Sequence, residues 1–306
     1  MIIFDRYGRP LENLRIIVTT KCNYNCIFCH SEGYYHCIRE DTCDLYPKDI
    51  KLIALVAKRF GINQVKITGG EPLIRDDICE VVSIFEDLDY KDISMATNGF
   101  LLLDYADKLA ESGLNRINVN IPSLVDGKYD HITGTKGRLG RVLRGLEAAK
   151  DAGIGPIKIN VVILKGINDN EWRDFIEFAE KMSVNIQFIE FHTKDPQSEK
   201  FVRFYRSIDP IEQYLKEIAS KVDVRKMNHR KRYKLETGID VEVVRPMFNP
   251  EFCRYCHRIR ATPTGWKPCL LNDTIVEYGE ALRSRDLIGI ANKFLMAVAI
   301  REPFFK

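Results

Sequence analysis

From residue 14 to about residue 220 the chain repeats one pattern six times: a short β-branched run, then a longer helical stretch. The strands read over 14–19, 64–68, 92–97, 116–121, 157–164 and 185–191. The helices read over 47–59, 77–85, 103–112, 139–152, 170–182 and 211–222. Pro47 opens the first helix, and Gly61, Gly113 and Gly153 close three of them. A crossover helix returns the chain to the same end of the sheet, so six such units in succession imply parallel strands. A unit of roughly 30 residues suits a barrel or an open doubly wound sheet. After residue 222 the pattern breaks into KMNHRKRYKL, a hairpin-like stretch and a cysteine-rich loop. The expectation is an α/β chain, with residues 1–222 as the strand–helix body and 223–306 as a second region packed against it.

The unusual polar residues fall just after the expected strands: TTKC, TGGEP, TNG, NIPS, KGIN and HTKD, in that order. The carboxyl ends of the strands carry the chemistry in parallel α/β folds. Loops are polar in any case, but that does not account for three cysteines and a double glycine at these places.

The cysteines are Cys22, Cys26 and Cys29, within CNYNCIFC. Thiolates are soft ligands that select zinc, copper(I) or iron–sulfur clusters. Structural zinc and a four-iron cluster each usually take four protein ligands. Three close thiols with no obvious fourth therefore point to a cluster with one open iron, where a small molecule can be ligated. A zinc knuckle completed by His30, Cys37 or Cys43 is the alternative. The nine cysteines would form a disulfide framework in an exported protein. The opening MIIFDRYGRP is not built as a secretory signal, so metal binding in the cytoplasm is expected instead. The longest apolar run, residues 294–300, is far short of the roughly 18 residues of a membrane span. A net charge of +3 is too small for bulk nucleic-acid binding. Cys79 reads as a small core residue, while Cys37 and Cys43 belong to no motif.

Two further motifs carry chemistry. In Gly69-Gly70-Glu71-Pro72 the glycines let a ligand approach the backbone, and Glu71 or nearby carbonyls can accept from an ammonium group. In FCRYCHRIRATPTGWKPC, three more thiols, Cys253, Cys256 and Cys269, flank Arg258 and Arg260. Residues two apart on an extended chain share a side, so the two guanidinium groups form a fork for phosphates or carboxylates. Taken alone, such an arginine pair is ordinary solvated surface, and three thiols can equally hold zinc.

CxxxCxxC with Phe28 before the last cysteine, followed about 40 residues later by GGEP, resembles the core of the radical S-adenosylmethionine superfamily. That resemblance covers roughly residues 10–220 and implies a partial (β/α)6, TIM-like barrel. CxxCxRxR with a third cysteine resembles the C-terminal motif of the GTP 3′,8-cyclase family of molybdenum cofactor biosynthesis. LRIIVT, KITGGEP, ATNG, RINVN, KINVVILKGIND and FIEF fit that family too, and CHSEG and the REPFFK ending resemble its archaeal branch. The resemblance implies two [4Fe-4S] clusters, on Cys22, Cys26 and Cys29 and on Cys253, Cys256 and Cys269. It implies S-adenosylmethionine contacts from Phe28, Gly69, Gly70, Glu71 and Asn120. It implies GTP contacts from Arg15, Lys66, Thr97, Lys158, Arg258, Ile259 and Arg260. A triphosphate carries about four negative charges, which a set of cations like this would answer.

The implied reaction is a radical cyclisation. S-adenosylmethionine is reduced at the first cluster, hydrogen leaves C3′ of GTP, and C3′ joins C8 of guanine. Arg258 or Arg260 assists, and the second cluster seats the base. An electron donor is required that the sequence does not name, and a homodimer is compatible with the chain. Three residues depart from the bacterial pattern: Gln187 stands for an arginine, His192 for a methionine, and Asn120 for a serine. The REPFFK end replaces a double-glycine tail. Arg230, Lys231, Arg232 and Lys234 read as a solvated face that could screen the triphosphate. The rival readings are a two-cluster radical enzyme acting on a peptide and a zinc-stapled binding module.

Overall fold

The computed structural model describes residues 2–30 and 44–305. Cys37 and Cys43, and all of CHSEG beyond His30, lie outside the described residues. The described residues fold around one twelve-stranded sheet. Six strand–helix units come first, as the alternation predicts. The strands are β1 (Asn13–Ile17), β2 (Gln64–Thr68), β3 (Asp92–Thr97), β4 (Arg116–Asn120), β5 (Ile157–Ile163) and β6 (Asn185–Glu190). The crossovers hold α1 (Pro47–Arg59), α2 (Ile78–Asp87), α3 (Leu102–Glu111), α4 (Asp126–Thr133), α5 (Leu139–Asp151) and α6 (Trp172–Met182). After β6 come α7 (Glu199–Phe204) and α8 (Asp209–Ile218). The short helices α4 and α7 have no counterpart in the sequence reading. The last expected helix stops at Ile218, and residues 221–222 belong to a strand instead.

The C-terminal region does not form a separate layer. Strands β7 (Lys221–Val224), β8 (Lys231–Lys234) and β9 (Asp240–Val244) make an antiparallel ribbon whose β9 pairs parallel with β6. After α9 (Pro250–Arg254), β10 (Arg258–Ala261) crosses to the opposite edge and pairs parallel with β1. Strands β11 (Gly265–Lys267) and β12 (Val276–Glu277) extend that edge antiparallel. The boundary expected at residue 222 thus falls inside β7. Eight parallel strands result, ordered β10-β1-β2-β3-β4-β5-β6-β9.

The parallel strands alternate cleanly. In β5, Ile157, Ile159, Val161 and Ile163 are buried, while Lys158, Asn160 and Val162 face the other way. Likewise Leu14 and Ile16, Val65 and Ile67, and Ile117 and Val119 enter the core under the helices. The opposite, concave face therefore carries Arg15, Lys66, Asn118 and their neighbours. Charged groups cannot be packed dry without partners, so this face cannot close into an apolar plug as ordinary barrel interiors do. It remains a chamber. Helices α10 (Gly279–Arg283) and α11 (Leu287–Ala299) end the chain. Phe294 of α11 stacks on Phe60, just past α1, with centroids 4.8 Å apart, and meets Trp266 edge-on at 5.0 Å.

Candidate active site

The chamber is a cavity of about 550 Å³ lined by all six cysteines of the two triplets and by the cations between them. The first triplet follows β1, and its loop is fastened to the loops after β2 and β3. The Gly70 and Glu71 amides donate to the carbonyls of Thr19 and Lys21, both at 2.8 Å. A Cβ on Gly69 would lie 2.4 Å from the Thr19 oxygen, and one on Gly70 2.0 Å from the Lys21 oxygen. The double glycine is thus required first by the approach of the cysteine loop's own backbone, a constraint the motif alone did not reveal. Glu71 is also not a free acceptor. Its carboxylate takes the Leu73 amide at 3.0 Å, the Thr97 hydroxyl at 2.6 Å and the Asn98 amide at 2.6 Å. Burial raises its pKa to about 7 against the pull of these donors. Thr97 lines the chamber, yet its hydroxyl is committed to Glu71 and also accepts from the Gly99 amide. The contact read for it with GTP is correspondingly constrained.

Burial pushes the Cys22 thiol up, and Cys26 further, with the neighbouring triplet thiols adding to both. Phe28 packs in a small apolar cluster with Phe191 and Leu164 at the same mouth. His30 and His192 sit ring to ring there, 4.8 Å between centroids.

The second triplet hangs from α9, whose N-cap Asn249 accepts the Phe252 amide at 3.1 Å. Cys253 lies in that helix, Cys256 just beyond it, and the β10–β11 hairpin returns the chain to Cys269. Burial opposes the Cys256 thiolate, but Arg301, Arg258 and Arg260 outweigh it and bring the thiol down to about 6. Arg258 and Arg260 face the chamber together, as their spacing predicts. Ile259 between them is fully buried in the core under the helices, where period-two alternation must send it, so only its backbone is left to meet a nucleotide.

Register aligns the cations. Arg15 lies between Arg260 on β10 and Lys66 on β2. Lys66 Nζ donates to Asn118 Oδ1 at 2.5 Å, Asn118 Nδ2 to Asn160 Oδ1 at 3.0 Å, and Asn160 Nδ2 to Asn120 Oδ1 at 2.9 Å. This amide ladder joins Lys66 to Asn120, and period-two reading of RINVN and KINVV would have found its middle members. Burial, then Arg116, Arg15, Arg258 and Lys158, hold the Lys66 pKa well below its ordinary value. Lys158 is ion-paired to Glu242 on β9. Arg230, read as solvated surface, is half-buried at the chamber wall, 2.7 Å from Gln187 Oε1.

Residues 16–179 match the Radical SAM superfamily, and residues 184–306 match the family described as Molybdenum Cofactor Synthesis C. A protein of Methanothermobacter marburgensis named probable GTP 3′,8-cyclase is 44% identical over 100% of both chains. The chain belongs to the GTP 3′,8-cyclase family of radical S-adenosylmethionine enzymes. A Saccharolobus solfataricus protein of the same name is 42% identical over 99% of both chains. The fold is also that of Streptococcus suis SuiB, solved with S-adenosylmethionine. That match has a TM-score of 0.67 and 17% identity, and covers 92% of this chain and 66% of SuiB.

The family brings S-adenosylmethionine and a [4Fe-4S] cluster, and the donor set fits them. Three soft thiols lie together at the chamber mouth.

Proposed function

We propose that this chain carries out the radical S-adenosylmethionine-dependent cyclisation of GTP to (8S)-3′,8-cyclo-7,8-dihydroguanosine 5′-triphosphate, the first step of molybdenum cofactor biosynthesis. The observation that carries the reading is the single chamber with a cysteine triplet at each end and at least four inward cations between. Cys22, Cys26 and Cys29 would hold the first cluster, and Cys253, Cys256 and Cys269 a second. When bound, the first cluster supplies the electron that cleaves S-adenosylmethionine to methionine and a 5′-deoxyadenosyl radical.

The chain's own residues do the rest. Gly70 and Glu71 fix the cysteine loop against the β2 loop, and Phe28 and Asn120 flank the cofactor. Arg15, Lys66, Lys158, Arg258 and Arg260 provide donors for GTP, and the chamber walls exclude water from the reacting atoms. Arg258 and Arg260 follow Cys256 on β10 and line the chamber beside it, which favours placing the base at that end.

Anaerobic incubation with GTP, S-adenosylmethionine and a chemical reductant, followed by mass analysis of nucleotides, tests the reading. Reconstituted protein should hold about eight irons per chain. Cys22→Ser should abolish 5′-deoxyadenosine formation. Arg258→Ala with Arg260→Ala should leave cofactor cleavage and impair GTP turnover. Normal cyclisation by that double variant would remove these arginines from the site.

A further inference from the structure

Glu242 sits in the wall of the chamber, on β9, with a side chain that is 0% exposed. Its register neighbours are Gln187 on β6 and Arg232 on β8. Three cations converge on this one carboxylate. Lys158 Nζ comes from β5, Arg225 Nη1 approaches to 2.8 Å and Arg230 Nη1 to 3.2 Å. Arg225 and Arg230 flank the turn of the β7–β8 hairpin, where the Arg225 amide donates to the Arg230 carbonyl at 2.9 Å. Arg230 also donates to Gln187, so its guanidinium is held in a fixed orientation.

The charges do not balance. One carboxylate answers three cations, leaving a surplus of about two positive charges in a partly buried wall, where like charges repel more than in open water. Asp92 offers no counter-charge, being paired with Arg116 at 2.6 Å. Such a surplus is retained where a multiply charged anion completes it. Guanidinium and ammonium groups are donors only, and a planar guanidinium matches phosphate oxygens two at a time. A neutral purine would leave the surplus untouched.

We propose that Arg225 and Arg230, with Lys158, seat the terminal phosphates of GTP, and that Glu242 holds these cations in place and competes with the phosphates for them. This assignment rests on the GTP reading for the nucleotide, but on the ribbon alone for the polyphosphate seat. Arg225 and Arg230 become substrate-binding residues supplied by the C-terminal ribbon, far in sequence from Arg15 and Lys66.

Inorganic tripolyphosphate isolates the seat from the rest of the nucleotide. Its binding to anaerobically reconstituted protein is measured by calorimetry at two salt concentrations. Arg225→Gln should weaken binding at least tenfold. Arg230→Gln leaves Glu242 still paired with Lys158 and Arg225, so no carboxylate is stranded, and should weaken binding similarly with the melting temperature preserved. Glu242→Gln alone should strengthen binding several-fold, because a competing carboxylate is gone. A purely structural Glu242 would move binding the other way. Unchanged tripolyphosphate binding in the two arginine variants, or weaker binding in Glu242→Gln, overturns the seat. Cyclisation is read separately. Wild-type protein that binds tripolyphosphate through these arginines but leaves GTP unreacted would overturn the cyclase reading and support the seat. Variants with unchanged KM for GTP would overturn the seat while leaving the cyclase reading intact.

Discussion

Arg301 donates a hydrogen bond to the carbonyl oxygen of Cys256, tying the end of the chain to the second cysteine triplet. Its other terminal nitrogen is paired with Asp5. Asp5 in turn holds Arg9 at 2.7 Å, and Arg9 donates to the Cys253 carbonyl at 2.9 Å. One fully buried carboxylate therefore anchors two guanidinium groups, and each guanidinium fixes the backbone of a thiol-bearing residue. Both chain termini meet at this point. The REPFFK ending, read from sequence only as a departure from a double-glycine tail, contributes a structural clamp through its first residue.

Arg301→Ala removes one partner of this buried pair and leaves the Cys256 carbonyl without its donor. Breaking a buried charge pair from one side costs on the order of 3–5 kcal/mol. Iron content should fall from about eight towards about four per chain, with 5′-deoxyadenosine formation retained. Arg301→Lys should recover part of the lost iron. Iron and sulfide analysis beside a melting curve checks this. Full iron content in Arg301→Ala would show that the clamp does not support the second triplet.

Phe294→Ala tests whether the last helix is part of the fold or an appendage. Phe294 is fully buried and contacts both Phe60 and Trp266. Truncating such a ring costs about 3–5 kcal/mol. Because Trp266 lies on β11, next to β10 and its arginines, loss of this contact should lower the melting temperature and raise the KM for GTP. Thermal unfolding and steady-state kinetics separate the two effects.

The six strand–helix units were legible because each inward or outward choice is written locally, as in IKINVVI. Arg258 and Arg260 were legible for the same reason, and so were the two triplets, whose spacing is itself the signal. What escaped was decided by pairing between distant segments. Nothing local in DVEVV announces that β9 lies beside β6, so neither Glu242 nor the inward turn of Arg230 could be read. The burial of the Ile259 side chain between Arg258 and Arg260 follows from their period-two alternation. The glycines of TGGEP were legible as a close approach, but not as an approach of backbone to backbone.

Glu212 gives a pH signature for the docking of α8 on the C-terminal ribbon. Burial opposes its charge, but Tyr233, Lys231 and Arg245 outweigh that and hold the carboxyl at about 2, against an ordinary 4.5. Arg245 lies at 2.7 Å and the Tyr233 hydroxyl at 2.5 Å. The folded-state value is depressed, so the stabilisation is fully present above about pH 4.5 and is lost as pH falls towards 2. Denaturant titrations across that window should slope downward with acid in the wild type and slope less in Glu212→Gln. Equal slopes would mean that this pair contributes nothing to acid sensitivity.

Gly70→Ala separates the two roles open to the double glycine. If the position served only to admit a ligand, a methyl group would weaken cofactor binding and leave the fold alone. The Cβ would instead stand 2.0 Å from the Lys21 carbonyl oxygen and 2.5 Å from its carbon, one residue before Cys22. Backbone atoms cannot rotate aside as a side chain does, so the cysteine loop must shift. Overpacking of this kind costs about 1–3 kcal/mol, and here the displacement falls directly on Cys22, the proposed cluster ligand. The variant should melt lower than wild type even without iron or S-adenosylmethionine. After reconstitution it should also lose iron at the first triplet and form little 5′-deoxyadenosine. A variant with wild-type melting in the iron-free state and weakened cofactor binding alone would return the glycine to a ligand-facing role.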